Sequence, residues 1–244
     1  MKISIITVVK NGMPFLKESI NSFNNQNYKN KELIIVYSKS TDSTVEYIKK
    51  NKKKNFRIIK DIKSKNKFGP LNLGIKKSNG NIIGILHSDD FYPRKNVLSN
   101  IVQTFKSKKC DVVYGNLLFC KTNKKKIVRK WLSGKFNRQS LKFGWMPPHT
   151  TIYVNSKVIK KNLYSLKYPI SGDYKFILEL FNKKLKFIFL NKYLCTMRVG
   201  GDSTKIENLF KKLKEDMSIA KLYYDNYIIC IICKILRKVN QLFV

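Results

Sequence analysis

The sequence predicts an α/β domain with a mostly parallel central sheet flanked by helices and a helical extension at its C-terminal end. Three observations carry this prediction. Short apolar runs alternate with segments of helical period over the first half of the chain, the pattern of βαβ units with right-handed crossovers. The mostly apolar run Ile82–Leu86 passes directly into His87-Ser88-Asp89-Asp90, as a buried central strand does when it ends at a ligand crevice. Finally, 244 residues with 43% hydrophobic side chains can close a sizeable core.

The elements follow in order. Ile3–Val9 reads as a strand; Asn11-Gly12 turns, and Pro14 opens a helix carrying Phe15, Leu16, Ile20 and Phe23. Leu33–Tyr37 is a second strand, and Ser40–Ser43 supplies capping groups for a helix through Val45 and Ile48. Phe56–Ile59 is a strand, Leu71–Lys77 a short helix, Ile82–Leu86 a strand, Val97–Phe105 a helix and Val112–Tyr114 a strand. Gly115 to about Lys130 reads as a hairpin turning at the basic Thr122–Lys126. After the rigid loop Met146-Pro147-Pro148-His149, Thr150–Val154 is a strand, Asn155–Asn162 and Gly172–Lys183 are helices, and Leu185–Leu190 and Leu194–Val199 are two strands. Beyond Gly200-Gly201 the chain is helical, with one break near Asp225-Asn226. No internal repeat or Gly/Ser linker interrupts it.

The formal net charge is +35, which draws nucleic acid, anionic lipid or a polyanionic substrate. The lysines are dispersed in runs from Lys49–Lys54 to Lys211–Lys214, Lys far outnumbers Arg, and Asn is plentiful. That pairing fits drift in an A+T-rich coding sequence, with attraction to anionic lipid a secondary benefit. A basic nucleic-acid-binding protein is the rival reading from another class; scattered Tyr and Phe could stack bases, but no nucleic-acid motif is present, and nucleic acid is disfavoured. Five cysteines form no disulfide framework, which fits a reduced, cytoplasmic setting. Ile3–Val9 is too short for a signal peptide and ends abruptly at Lys10-Asn11-Gly12.

The order of six motifs resembles the family 2 glycosyltransferases over roughly residues 1–204. Ile3–Asn11 is similar to the opening strand with its Thr-x-x-x-Asn tip, and Glu32–Ser43 to the next strand and its Ser-Thr-Asp-x-Thr turn. Gly69–Gly74, with Asn72, resembles the short Asn-x-Gly-Ile helix, and His87–Asp90 falls where the family carries its Asp-x-Asp-type motif. Gly172-Asp173-Tyr174 resembles the acidic helix start that bears the catalytic base, and Gly200-Gly201-Asp202-Ser203 a late Gly-Gly-x-Ser loop. The resemblance implies a GT-A-like Rossmann-type sandwich. Residues 1–115 would form the half that binds the nucleotide sugar, 116–204 the half with the acceptor site and base, and 205–244 C-terminal helices in contact with a membrane surface.

It also implies the chemistry: an inverting glycosyltransferase that moves one sugar from a nucleotide diphosphate sugar to a glycan or lipid-linked acceptor. Hard carboxylate oxygens suit Mg²⁺ or Mn²⁺ on a diphosphate, and Asp89 and Asp90 are the expected metal residues; an Asp-rich turn is the alternative. Thr7, Val9, Asn11, Tyr37, Ser38, Asp42, Asn72, Ser88 and Asp89 are the expected donor-binding residues. Asp173 is the expected general base, since single displacement with one base gives inversion; the plain alternative is a helix N-cap. His149 lies by the donor phosphates or the metal in this reading, and is otherwise a lone loop histidine. His87 is a third metal ligand or a strand-end residue. Trp145 stacks on a sugar or packs, and Arg198 meets phosphate or ends a strand in solvent. Tyr174 and Phe176 are expected to pack.

One departure matters. The family's second strand ends in Asp-Asp-Gly-Ser or Asp-Gly-Gly-Ser, whereas this chain has Tyr37-Ser38-Lys39-Ser40. The missing carboxylate leaves the nucleotide open and keeps a catalytically inactive assembly partner as a further alternative. At the C-terminal end, Ile228, Ile231, Ile232, Ile235, Val239 and Leu242 recur at helical spacing among Lys234, Arg237 and Lys238. This run is too short to span a bilayer. It suits either an anionic membrane interface, on the cytoplasmic face, or packing on the domain itself. Cys230 and Cys233, a C-x-x-C inside this run, are expected to pack.

Overall fold

The structure, a computed structural model, describes residues 1–122, 126–199 and 206–240. The late Gly200–Ser203 loop, the tip of the basic turn at 123–125 and residue 242 lie outside the described residues, as does the side chain of residue 239.

Strand β1 (Ile3–Val9) is central to the first half. It pairs in parallel with β2 (Lys31–Tyr37) and with β4 (Ile82–Ile85), and β3 (Phe56–Lys60) extends the sheet beyond β2. The crossovers are helices α1 (Phe15–Asn24), α2 (Thr44–Lys50) and α3 (Phe68–Lys77), and α4 (Val97–Lys108) leads out of β4. Side chains alternate across a strand, and here the alternation sorts two cores. Odd positions Ile3, Ile5, Leu33 and Ile35 meet Leu16, Ile20 and Phe23 of α1 and Leu98, Ile101 and Phe105 of α4. Even positions Ile6, Ile34 and Val36 meet Leu71 and Ile75 of α3 and Ile177 and Phe181 of helix α6 (Gly172–Phe181). With helices on both faces, β1 and β2 are buried almost throughout, which is why they read as unbroken apolar runs.

The second half departs from simple parallel winding. Strand β7 (Tyr153–Asn155) inserts antiparallel between β4 and β5 (Val112–Cys120). β5 also forms the expected hairpin with β6 (Ile127–Trp131) and pairs in parallel with β8 (Phe187–Arg198), so the order is β3-β2-β1-β4-β7-β5-β6 with β8 on β5. The two strands expected at Leu185–Leu190 and Leu194–Val199 are this single β8. Its polar middle does not end it, because the register slips there by a bulge and the Asn116 amide donates to Asn191 Oδ1 at 3.1 Å. The strand expected from Thr150 starts later, since Pro147-Pro148 leads into a 3₁₀ turn at His149–Thr151. The helix expected to Asn162 is only α5 (Ser156–Ile159).

Helices α7 (Ile206–Lys221) and α8 (Tyr227–Asn240) return over α6. Of the C-terminal run, Cys230 and Ile231 are buried. Cys230 Sγ lies 3.6 Å from the Tyr174 hydroxyl and donates to Leu141 O at 3.4 Å, a packing role. α8 therefore docks on the domain by one stripe, while Ile228, Ile229, Ile232, Ile235 and Leu236 remain 49–56% exposed on another.

Candidate active site

The carboxyl ends of β1, β2 and β4 converge, and short polar side chains tie them. Asn11 adopts φ +49°, a left-handed conformation that Asn tolerates. Its Oδ1 accepts from Thr41 N at 2.8 Å while its own N–H donates to Ser40 Oγ at 3.1 Å. Asp42 accepts from Met13 N at 3.0 Å and Thr44 N at 3.1 Å. The Thr44 hydroxyl bond first, with these backbone bonds, holds its carboxyl below the usual range. Ser38 N donates to Val9 O at 3.1 Å, and a Cβ on Gly12 would stand 3.6 Å from Ser88 Cβ. Asn11, Tyr37, Ser38, Asp42 and Ser88 are thus gathered at one rim.

At three of the expected donor-binding positions the side chains are engaged within the chain. Thr7 and Val9 lie beneath the rim, almost fully buried, and the Thr7 hydroxyl is engaged by Leu86 O at 2.8 Å. Both polar atoms of the Asn72 amide are taken by the main chain of Tyr164, each at 2.8 Å. Asn72 therefore clamps the segment after α5 to α3. A carboxylate does stand beside Tyr37: Asp61 N donates to Tyr37 O at 2.8 Å, and Asp61 Oδ1 accepts from Ser64 Oγ at 3.1 Å.

At the β4 tip the paired aspartates separate. Asp89 is partly exposed, whereas Asp90 has no exposed surface. Asp90 Oδ2 faces Cys195 Sγ at 3.9 Å and its Oδ1 has no hydrogen-bond partner. Burial, with the Asp89 charge adding to it, pushes the Asp90 carboxyl well above the usual range. Of the two expected metal residues, only Asp89 presents surface at the tip; Asp90 has none. The expectation for Arg198 is corrected: it is buried, stacked between Phe15 and Phe91 at 4.7 and 5.0 Å, paired with Glu18, and donates to Asp89 O. It braces the tip from behind.

Asp173 stands at the start of α6, and its charge and that of Asp89 both act on His87. It is not the cap of that helix. The N-cap residue is Ser171, and Glu215 of α7 accepts from Ile170 N at 3.1 Å and Ser171 N at 2.7 Å. Those bonds hold the segment just before the helix, while the Asp173 side chain accepts from the first-turn N–H of Tyr174 at 2.8 Å. Burial works to raise its pKa, but His149, Lys67, Lys212 and Lys234 outweigh it and leave it below the ordinary carboxylate range. Burial pushes His149 itself down to about 3, so it is uncharged near neutrality and the lysines carry the effect there. His87, lowered by burial against the pull of Asp89 and Asp173, links the two aspartates electrostatically.

His149 is held rather than free. Its Nε2 is 2.6 Å from the Tyr164 hydroxyl, its ring centroid is 5.9 Å from that of His87, and Tyr164 stacks between Phe68 and Phe176. With Nε2 engaged, the expected role of His149 at a metal is reduced to its other ring nitrogen. Among the described residues no three His, Cys, Asp or Glu side chains are grouped to hold a metal ion. The donor set, one accessible carboxylate, fits a hard cation that a ligand's phosphate oxygens share. Trp145 is buried, with its indole N–H donating to Ser133 O at 2.7 Å, and Tyr174 and Phe176 are buried as expected. Sequence reasoning missed Lys67, Tyr164, Glu215 and Lys234. Only Lys67 carries a local signal, as the end of a basic run before α3.

Comparison with known proteins agrees with this architecture. A family model described as "Glycosyl transferase family 2" matches residues 4–166. The UDP-Glc:alpha-D-GlcNAc-diphosphoundecaprenol beta-1,3-glucosyltransferase WfaP of Escherichia coli is 27% identical over 224 residues, 90% of this chain and 85% of that protein. S. aureus TarS 1–349 in complex with UDP-GlcNAc superposes with a TM-score of 0.71 at 18% identity, covering 92% of this chain and 68% of that one. A longer TarS chain is covered for 40% of its length. Mannosyltransferase PcManGT from Pyrobaculum calidifontis, in complex with GDP-Man and Mn²⁺, superposes with a TM-score of 0.68 at 13% identity, covering 91% and 63%.

Proposed function

The chain belongs to glycosyl transferase family 2, and from that premise we propose that it transfers one sugar from a nucleoside diphosphate sugar to a lipid-linked glycan, with inversion at the anomeric carbon. The carrying observation is Asp173 at the start of α6, held below the ordinary carboxylate range by His149, Lys67, Lys212 and Lys234, with its charge and that of Asp89 both acting on His87. In this reading the nucleotide lies on the rim made by Asn11, Tyr37, Ser38, Asp42 and Ser88. Residues 1–115 hold the donor, 116–204 carry the base and the acceptor wall, and 205–244 close the acceptor side. A divalent ion such as Mg²⁺ or Mn²⁺, when bound at Asp89, supplies charge neutralisation for the leaving diphosphate.

The protein's own part is to take a proton. Asp173, low in pKa and partly shielded from water, accepts the proton of the acceptor hydroxyl as its oxygen attacks the anomeric carbon. Lys67, near both His87 and Asp173, stabilises negative charge between them. The lipid-linked acceptor is supported by the specificity in the name of the E. coli relative and by the outward face of α8. That face carries Ile228, Ile229, Ile232, Ile235 and Leu236, an arrangement suited to lying in an anionic membrane interface. No helix among the described residues is long and apolar enough to cross a membrane.

The test is Asp173→Asn. UDP and GDP sugars are screened with Mn²⁺ by thermal shift, and transfer to a short polyprenyl-diphosphate-linked sugar is followed with the donor found. The isosteric amide keeps donor binding and lowers kcat by roughly 10²–10⁴. Unchanged turnover would remove Asp173 as base.

A further inference from the structure

We propose that the cavity between the end of β6, the Gly144–Met146 turn and α8 is the subsite for the diphosphate that links the acceptor sugar to its lipid. The proposal rests on the lipid-linked reading above and adds where such an acceptor is gripped. The cavity, about 190 Å³, is lined among others by Trp131, Trp145, Lys234, Arg237 and Lys238. It lies apart from the donor rim at the tips of β1, β2 and β4.

Three features make it an anion site on the acceptor side. First, its cations are not neutralised equally. Lys234 is buried and paired with Asp216 at 2.8 Å, but no ion pair among the described residues takes Arg237 or Lys238. Arg237 Nε donates to Phe143 O at 2.9 Å, which orients the guanidinium and leaves its two terminal nitrogens for the forked recognition of phosphate. Burial first, then the charges of Lys212 and Lys234, push Lys238 down to about 8.

Second, one lining residue reaches toward the base. Lys234 Nζ sits 3.2 Å above the ring of Tyr174, the residue after Asp173, and Asp173 feels the charge of Lys234. A sugar one bond away from a diphosphate held here can present a hydroxyl to Asp173. Third, the exposed apolar face of α8 begins beside these cations, at Ile235 and Leu236. A polyprenyl chain leaving the diphosphate therefore meets apolar surface rather than water. Backbone contact of α8 with Gly144 holds the arrangement in place.

Both tryptophans of the chain line this cavity, so intrinsic fluorescence reports on it without turnover. The full chain is titrated with farnesyl diphosphate, farnesol, inorganic pyrophosphate and UDP. Farnesyl diphosphate should change the emission saturably, pyrophosphate should do so more weakly, and farnesol should not. The Arg237→Ala/Lys238→Ala variant, with its fold checked by melting temperature, should weaken farnesyl diphosphate at least tenfold. Lys238→Gln alone replaces it should the double variant not fold, with a loss of at least threefold. An Arg237→Lys/Lys238→Arg variant should restore most of the affinity. Equal binding of farnesol, unchanged affinity in the alanine variant, or displacement by equimolar UDP would each overturn the assignment. Absence of sugar transfer with intact farnesyl diphosphate binding would count against the proposed function while leaving this subsite standing.

Discussion

Replacing Gly144 by alanine tests whether α8 is an integral wall of the molecule. Gly144 has φ +67°, and a Cβ there would meet Lys234 N at 2.4 Å, Cys230 O at 2.6 Å and Lys234 Cα at 2.6 Å. All three are main-chain atoms of α8, so no side-chain rotation relieves the contact. The left-handed conformation costs an L-residue about 1–2 kcal/mol, and forcing an extra carbon into a packed contact costs about 1–3 kcal/mol more. The expected destabilisation is therefore about 2–5 kcal/mol. At about 2–4 °C per kcal/mol for a chain of this size, that lowers Tm by roughly 4–20 °C. If α8 lifts instead of straining the whole fold, the fall in Tm is smaller and trypsin cuts at Arg237 and Lys238. Thermal denaturation with limited tryptic digestion read by mass spectrometry distinguishes the two. A Tm within 2 °C of the parent, about the shift for 1 kcal/mol, with an unchanged digest would refute the packing argument.

Other outcomes follow from the same geometry. Asp89→Asn should abolish the Mn²⁺ dependence of UDP binding, while Asp90→Asn, at a side chain with no exposed surface, should leave it within twofold in a titration. Glu32 on β2 is buried against β1 and the turn after α3, accepting from Lys2, from Ser4 Oγ at 2.6 Å and from Asn79 N at 2.8 Å. Burial works to raise its pKa, but these bonds lower it overall. Its contribution is thus full above the unfolded carboxylate range and is lost as pH falls through the depressed folded value. Glu32→Gln should cost about 1.5–3 kcal/mol at pH 7 by urea denaturation, with the gap to the parent narrowing below about pH 4. Ile232→Asp with Ile235→Asp should abolish co-sedimentation with phosphatidylglycerol vesicles without lowering Tm, because both side chains point outward.

The parallel half of the sheet is legible in the sequence because burial on both faces leaves β1, β2 and β4 as apolar runs, each ending at a polar tip. Asp173 and Asp89 are legible for a related reason: each follows a structural boundary, a helix start or a strand end, that composition marks. The β7 insertion is not legible, since three residues of strand carry too little pattern against a preceding Pro-Pro loop. Nor is the bulge in β8, where two polar residues in the middle of a strand look like a break until Asn116 is brought across to them.

By itself the sequence determines which segments are buried and where the chain turns, because periodicity and turn chemistry are local properties. Tertiary structure alone decides which of two adjacent aspartates faces solvent and which is sealed beneath Arg198 and Cys195. It likewise decides that Glu215, 42 positions away from Asp173 in the chain, takes the N–H groups of Ile170 and Ser171 just before α6, and that lysines of α7 and α8 act by charge on the Asp173 carboxylate. Those outcomes depend on burial and on charge at close range, quantities set by neighbours that are distant in sequence.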